Sequence, residues 1–149
     1  MNGLSNYEAS EYLRIISTQK GQPFNESVLN SDKEKLEKNL NEHGYLNAKI
    51  ESVTVNEVSS EYVQVNFNIE KKNPCRVDQV LIEDSLSNIL NFLTVPIETG
   101  SICDFKSIRE TLEIQKENYL EQGYLQANVK IKDISYSANK ESAKIVLQI

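Results

Sequence analysis

The chain has 149 residues, of which 39% are apolar and 26% charged, with 5 Gly, 3 Pro and a net charge of −6. That composition excludes collagen-like, low-complexity and strongly disordered chains, and no window approaches the roughly 18 uninterrupted apolar residues of a membrane-crossing helix. An acidic chain without a basic cluster also lacks the Lys/Arg face that nucleic-acid phosphates or an anionic lipid surface require, so nucleic acid is excluded as a partner.

The elements follow in order. Ser5 or Asn6 caps a helix through Ile16. Asn25 caps a longer helix with Leu29, Leu36 and Leu40 inside, and Gly44 ends it, because glycine takes the left-handed closing conformation freely. Ala48 and Ile50 begin a strand that Val53 and Val55 continue on the other parity, which predicts a bulge near Glu51–Ser52. Val63, Val65, Phe67 and Ile69 alternate as the next strand. Arg76–Ile82 is a strand, Ser85–Leu93 a short helix capped by Ser85, and Thr94–Cys103 a connection. Asp104 caps a helix to about Gln122 with Phe105, Ile108, Leu112 and Tyr119 as its stripe, and Gly123 ends it. Leu125, Ala127, Val129 and Ile131 alternate, Asn139-Lys140 is a turn, and Ala143, Ile145, Leu147 and Ile149 form the return strand.

The chain repeats itself. Glu42-His43-Gly44-Tyr45-Leu46-Asn47-Ala48 returns as Glu121-Gln122-Gly123-Tyr124-Leu125-Gln126-Ala127, with five of seven positions identical at an offset of 79. The offset holds from Gly21/Gly100 to Thr54/Asp133, and one inserted residue makes it 80 for the strands at Val63–Ile69 and Ala143–Ile149. Residues 1–74 and 75–149 even carry the same 8 basic and 11 acidic groups each. The expected architecture is α+β: two tandem β-α-α-β-β units, residues 1–72 and 73–149, each a small mixed three-stranded sheet covered on one face by two helices. The opening strand of the first unit falls on residues 1–3 and positions before them, so the chain reads as cut from a longer protein inside a domain. No signal peptide follows Met1, which fits a cytosolic protein or an excised piece of an exported one.

No constellation for catalysis is present, and no enzyme, cofactor or metal site is expected. The lone histidine, His43, has Gln122 as its repeat partner and reads as a polar residue near a helix C-terminus. There is no Gly-rich phosphate loop. Cys75 and Cys103, 28 apart, lack zinc-type spacing; they read as small buried hydrophobes, with a disulfide open to them in an oxidising compartment. Asp32-Lys33-Glu34-Lys35 reads as solvated helix surface. Tyr45 and Tyr124 read as packing residues at a helix–strand corner.

The ordered set of motifs resembles the POTRA domain, the polypeptide-transport-associated repeat of BamA-like outer-membrane assembly proteins and their TamA relatives. The entry Gly21-Gln22-Pro23-Phe24, the closures Gly44-Tyr45 with Ala48 and Gly123-Tyr124 with Ala127, and the junction Ile69–Val77 carry the resemblance. Gly100 matches Gly21, whereas Cys103 replaces the aromatic of Phe24 and Lys72 or Asn73 the usual junction glycine. The resemblance implies a central return strand with the preceding strand at an edge, here Leu46–Thr54 and Leu125–Asp133. It implies recognition of extended chains by added-strand pairing, with Asn47, Lys49, Asn128, Lys130 and Lys132 directed outward. Edge lysines also discourage aggregation on their own account. The function implied is a periplasmic docking and scaffold region of an outer-membrane β-barrel assembly or translocation protein. Its partners would be unfolded outer-membrane protein precursors, accessory assembly proteins, and its own C-terminal membrane barrel outside this fragment. The POTRA region of a two-partner secretion transporter or of a division-type membrane protein is the alternative, and a generic soluble α+β interaction module the third.

Overall fold

The computed structural model describes residues 1–83 and 97–148, so the expected helix at Ser85–Leu93 lies outside the described residues. The chain divides into two compact units, Met1–Asn41 with Asn47–Asn73, and Glu42–Leu46 with Pro74–Ile149. Both are α+β.

The first unit carries α1 (Asn6–Leu13), α2 (Glu26–Glu42), β1 (Lys49–Glu57) and β2 (Val63–Glu70). Ser5 caps α1 in a reciprocal box: its Oγ accepts from the Glu8 N–H at 3.3 Å, and Glu8 Oε2 accepts from the Ser5 N–H at 3.0 Å. Glu8 also pairs with Lys71. The Lys71 hydrogen bond and those from Ser5 hold the Glu8 carboxyl at about 2. Asn25 caps α2, its Oδ1 accepting from the Ser27 N–H at 2.9 Å. Leu29, Leu36 and Leu40 are buried, and the stripe packs as the spacing predicts.

Two expectations fail together at Asp32. The sequence suggests that α1 runs through Ile16 and that Asp32 is surface. Instead α1 stops at Leu13, and Asp32 is fully buried. The Asp32 carboxylate accepts the backbone N–H groups of Ser17 and Thr18 at 2.8 and 2.7 Å, and Lys35 Nζ at 3.2 Å. Those amides must leave the helix to reach it. The carbonyls left behind at Leu13 and Ile16 are capped by Gln19 Nε2 at 2.7 and 2.9 Å. Burial pushes Asp32 upward, but the Ser17 and Thr18 hydrogen bonds and Lys35 outweigh it and hold the carboxyl below its ordinary range.

β1 and β2 pair antiparallel, and the register shifts between Ile50 and Ser52, which is the bulge predicted from the parity change. The opening strand is not wholly missing. Asn2 makes a parallel bridge to Asn68, its N–H donating to the Phe67 carbonyl at 2.8 Å and its carbonyl accepting the Ile69 N–H at 3.0 Å.

The second unit carries β3 (Arg76–Glu83), α3 (Phe105–Glu121), β4 (Lys130–Tyr136) and β5 (Ser142–Gln148). Its sheet order is β3-β5-β4, with β3 parallel and β4 antiparallel to β5. Asp104 caps α3 through the Ser107 N–H at 2.9 Å and meets His43 Nδ1 at 2.7 Å. Burial raises the Asp104 carboxyl, but the Ser107 and His43 hydrogen bonds lower it further and leave it below its ordinary range. Phe105, Ile108, Leu112 and Tyr119 from α3 meet Val77, Ala143, Ile145 and Leu147 from the sheet in one core. Cys75 and Cys103 lie in that core as free thiols, fully buried, with sulfurs 3.6 Å apart. Burial, with Cys75 alongside, pushes the Cys103 thiol up to about 12. Gly44 belongs to this unit as well: its φ is +86°, and a Cβ there would lie 2.8 Å from the Cys103 carbonyl oxygen.

Asp32→Ala leaves two amides without their acceptor. It should lower the unfolding free energy in urea by about 2–4 kcal/mol, with Asp32→Asn intermediate. Glu8 has a folded value below its unfolded one, so its stabilisation is complete above pH 4.5 and fades as pH falls toward about 2. Melting curves of the native chain and Glu8→Gln should differ most above pH 4.5 and converge in acid.

Candidate protein-binding edges

β2 and β5 are the return strands. Among the described residues, β5 lies between two neighbours, which places β4 at an edge, and β1 has β2 alone beside it. Backbone groups in a strand point alternately to its two sides. Phe67 and Ile69 bond Asn2, so their N–H and C=O groups face away from β1. Opposite them, Ile50 and Val53 therefore turn their backbone outward, as does Val55 opposite Val65. The outward Ile50 N–H is already taken by Glu37 Oε1 at 3.2 Å. The open stretch of β1 begins at Val53. On β4 the same phase leaves Ile134 and Tyr136 facing outward, since their partners Ile145 and Ala143 face β3.

Both edges start later than the sequence reading placed them. β1 begins at Lys49 rather than Leu46 and runs to Glu57, and β4 begins at Lys130 rather than Leu125 and runs to Tyr136. The reason is the helix ending. After Gly123 the chain makes a further turn, closed by the Ala127 N–H to the Tyr124 carbonyl at 3.0 Å, which consumes the residues assigned to the strand. Leu125 is consequently 81% exposed. Asn47 and Asn128 precede the strands, while Lys49 and Lys130 are their first residues and exposed. Lys132 is the bulge residue of β4, between Ile131 and Asp133, and its ammonium pairs with Glu83 on β3, across β5. The sequence reading missed this bulge. Its signal was present: Ile134 and Tyr136 have the opposite parity to Val129 and Ile131, as Val53 and Val55 do to Ile50. The bulge lets Val129, Ile131 and Ile134 all pack toward the core.

The paired motif positions behave alike in backbone. Gly21, Gly44, Gly100 and Gly123 all have positive φ, between 83° and 93°. Ala48 is buried and Ala127 half-buried. Tyr45 is half-buried, and Tyr124 packs edge-to-face on Tyr119 with centroids 6.1 Å apart.

Residues 1–72 match the POTRA family, described as a surface antigen variable number repeat. No curated protein sequence matches the chain. Among solved structures, POTRA3-5 of Haemophilus influenzae BamA aligns over 98% of this chain with a TM-score of 0.53 and 16% identity. BamA from Haemophilus ducreyi lacking POTRA domains 1-3 aligns over 100% of it with a TM-score of 0.51 and 16% identity. The chain spans 60% of the first and 27% of the second. Residues 1–72 are thus a POTRA domain by sequence, and the chain as a whole has the fold of tandem POTRA domains like those of BamA.

Proposed function

We propose that this chain is a periplasmic docking and scaffold region of an outer-membrane β-barrel assembly or translocation protein. It binds unfolded barrel precursors, and accessory subunits, by adding their extended segments to its sheet edges. The observation that carries this reading is the outward backbone of β1 from Val53 to Glu57, with its counterpart at Ile134 and Tyr136 of β4. Main-chain pairing on such an edge gives affinity with little sequence preference, which suits a client set of many different barrel strands. Lys49 and Lys130 at the strand starts keep the edges from pairing permanently with other copies. The POTRA match supports the outer-membrane setting.

The experiment separates the edge from the fold. Val55 is 40% exposed and faces its N–H outward, whereas Thr54 pairs with Asn66 inside the ladder. Val55→Pro should keep the melting temperature close to that of the native chain and weaken photocrosslinking of barrel-strand peptides to β1. Thr54→Pro should lower the melting temperature, because it removes a ladder hydrogen bond worth about 1 kcal/mol and strains the strand. Undiminished crosslinking to a folded Val55→Pro chain would rule out this edge.

A further inference from the structure

Cys75 and Cys103 are the only cysteines of the chain and stand 28 positions apart, yet their sulfurs lie 3.6 Å from each other in the core of the second unit. Backbone pairing brings them there. Arg76 and Ile102 form an antiparallel bridge, so Cys75 and Cys103 stand directly opposite each other on the two segments. The Cys103 N–H donates to the Cys75 carbonyl at 2.8 Å, and the Val77 N–H to the Ser101 carbonyl at 2.9 Å. Opposite residues of a hydrogen-bonded antiparallel pair have Cα atoms about 5.5 Å apart and side chains on one face. That spacing is among the commonest across a disulfide. On its other side Cys75 is held by Gly44, whose carbonyl accepts the Cys75 N–H at 2.8 Å. Both backbones are therefore fixed at the separation a bond needs, and closing it asks only for rotation about Cα–Cβ.

Two small buried hydrophobes would also fill this space. Two observations favour a bond. The cysteines occupy opposite positions with sulfur against sulfur, which packing alone does not require. The second unit, Glu42–Leu46 with Pro74–Ile149, also has the size at which a single core is marginal and exported domains add cross-links.

We infer that Cys75 and Cys103 are a disulfide site, which fastens the start of β3 to the segment ahead of α3. The oxidant is a disulfide, carried by a protein or a small molecule of an oxidising compartment. One cysteine thiolate attacks it, giving a mixed disulfide and one released thiol, and the second cysteine then displaces the other thiol. Two cysteine thiols are oxidised, one disulfide is reduced to two thiols, and the two protons pass to those products. Burial, with Cys75 alongside, pushes the Cys103 thiol up to about 12 and keeps the folded, reduced pair unreactive, so exchange takes place as the unit folds. The bond leaves the folded backbone in place and stabilises chiefly by restricting the unfolded chain. The oxidising compartment rests on the proposed function; the meeting of the two thiols does not.

The test refolds the unfolded, reduced 149-residue chain in a glutathione buffer that contains the oxidised form. Maleimide blocking in denaturant, followed by mass spectrometry, is expected to find no free thiol and one cross-linked peptide pair holding Cys75 and Cys103. The oxidised chain should melt roughly 10 °C or more above the same chain after reduction. Its Val77 and Cys103 amides should exchange more slowly. In a Cys75→Ala/Cys103→Ala chain, reductant should change neither quantity. The oxidised and reduced forms of the native chain decide the matter by themselves where the double variant folds poorly. Free thiols, glutathione adducts or bonds between chains after refolding would overturn the site. An oxidised chain that melts no higher than the reduced one would overturn it too. A bond that forms on refolding, in a protein recovered fully reduced from its own cell, would support the site and overturn the periplasmic location.

Discussion

A small sheet has one face to bury, and its middle strand must be hydrogen-bonded along both edges while carrying most of that face. β5 meets both demands: Ala143, Ile145 and Leu147 are each at most 1% exposed, under α3 and between β3 and β4. The remaining features of the unit follow. The stripe of α3 must match that face. The strands on either side then flank it, and β4 is left as an edge. β2 is the same strand in the first unit, and its exposure rises toward Val63, farthest from the Asn2 rung.

Bulges keep the edge strands usable. A strand of strict alternation would turn Ile134 to the face opposite Val129 and Ile131. The extra residue, Glu51 in β1 and Lys132 in β4, resets the parity, so apolar residues on both sides of it face inward. The same device fixes which amides turn outward beyond it. In β1 the outward Ile50 amide ahead of the bulge is occupied by Glu37, so the free row starts after the bulge. Packing and the phase of the outward amides are thereby set by a single inserted position.

Asp32 shows how a polar group organises an apolar unit. A buried carboxylate is costly unless its oxygens are met by donors. Here two backbone amides and a lysine meet them, and the outcome is the early end of α1 and the fixed path of the loop toward Gly21–Phe24.

The sequence by itself determined the repeat, the number and order of the described elements, the caps at Asn25 and Asp104, the glycine helix ends, the buried stripes and the bulge near Glu51–Ser52. These are local: each depends on periodicity, a capping side chain or a positive φ that neighbouring residues make legible. The motif set also carried the POTRA resemblance, which the family match over residues 1–72 and the fold of the chain bear out. Tertiary structure decided the rest. Asp32 reads as one more charge in a charged run, because only the folded chain brings the Ser17 and Thr18 amides to it. Leu125 and Ala127 alternate like a strand, but the turn after Gly123 claims them. Lys132 reads as an outward lysine, but Glu83 two strands away takes its charge. Apart from that local turn, these depend on partners distant in sequence, and hydrogen bonds between distant residues leave no periodicity to read.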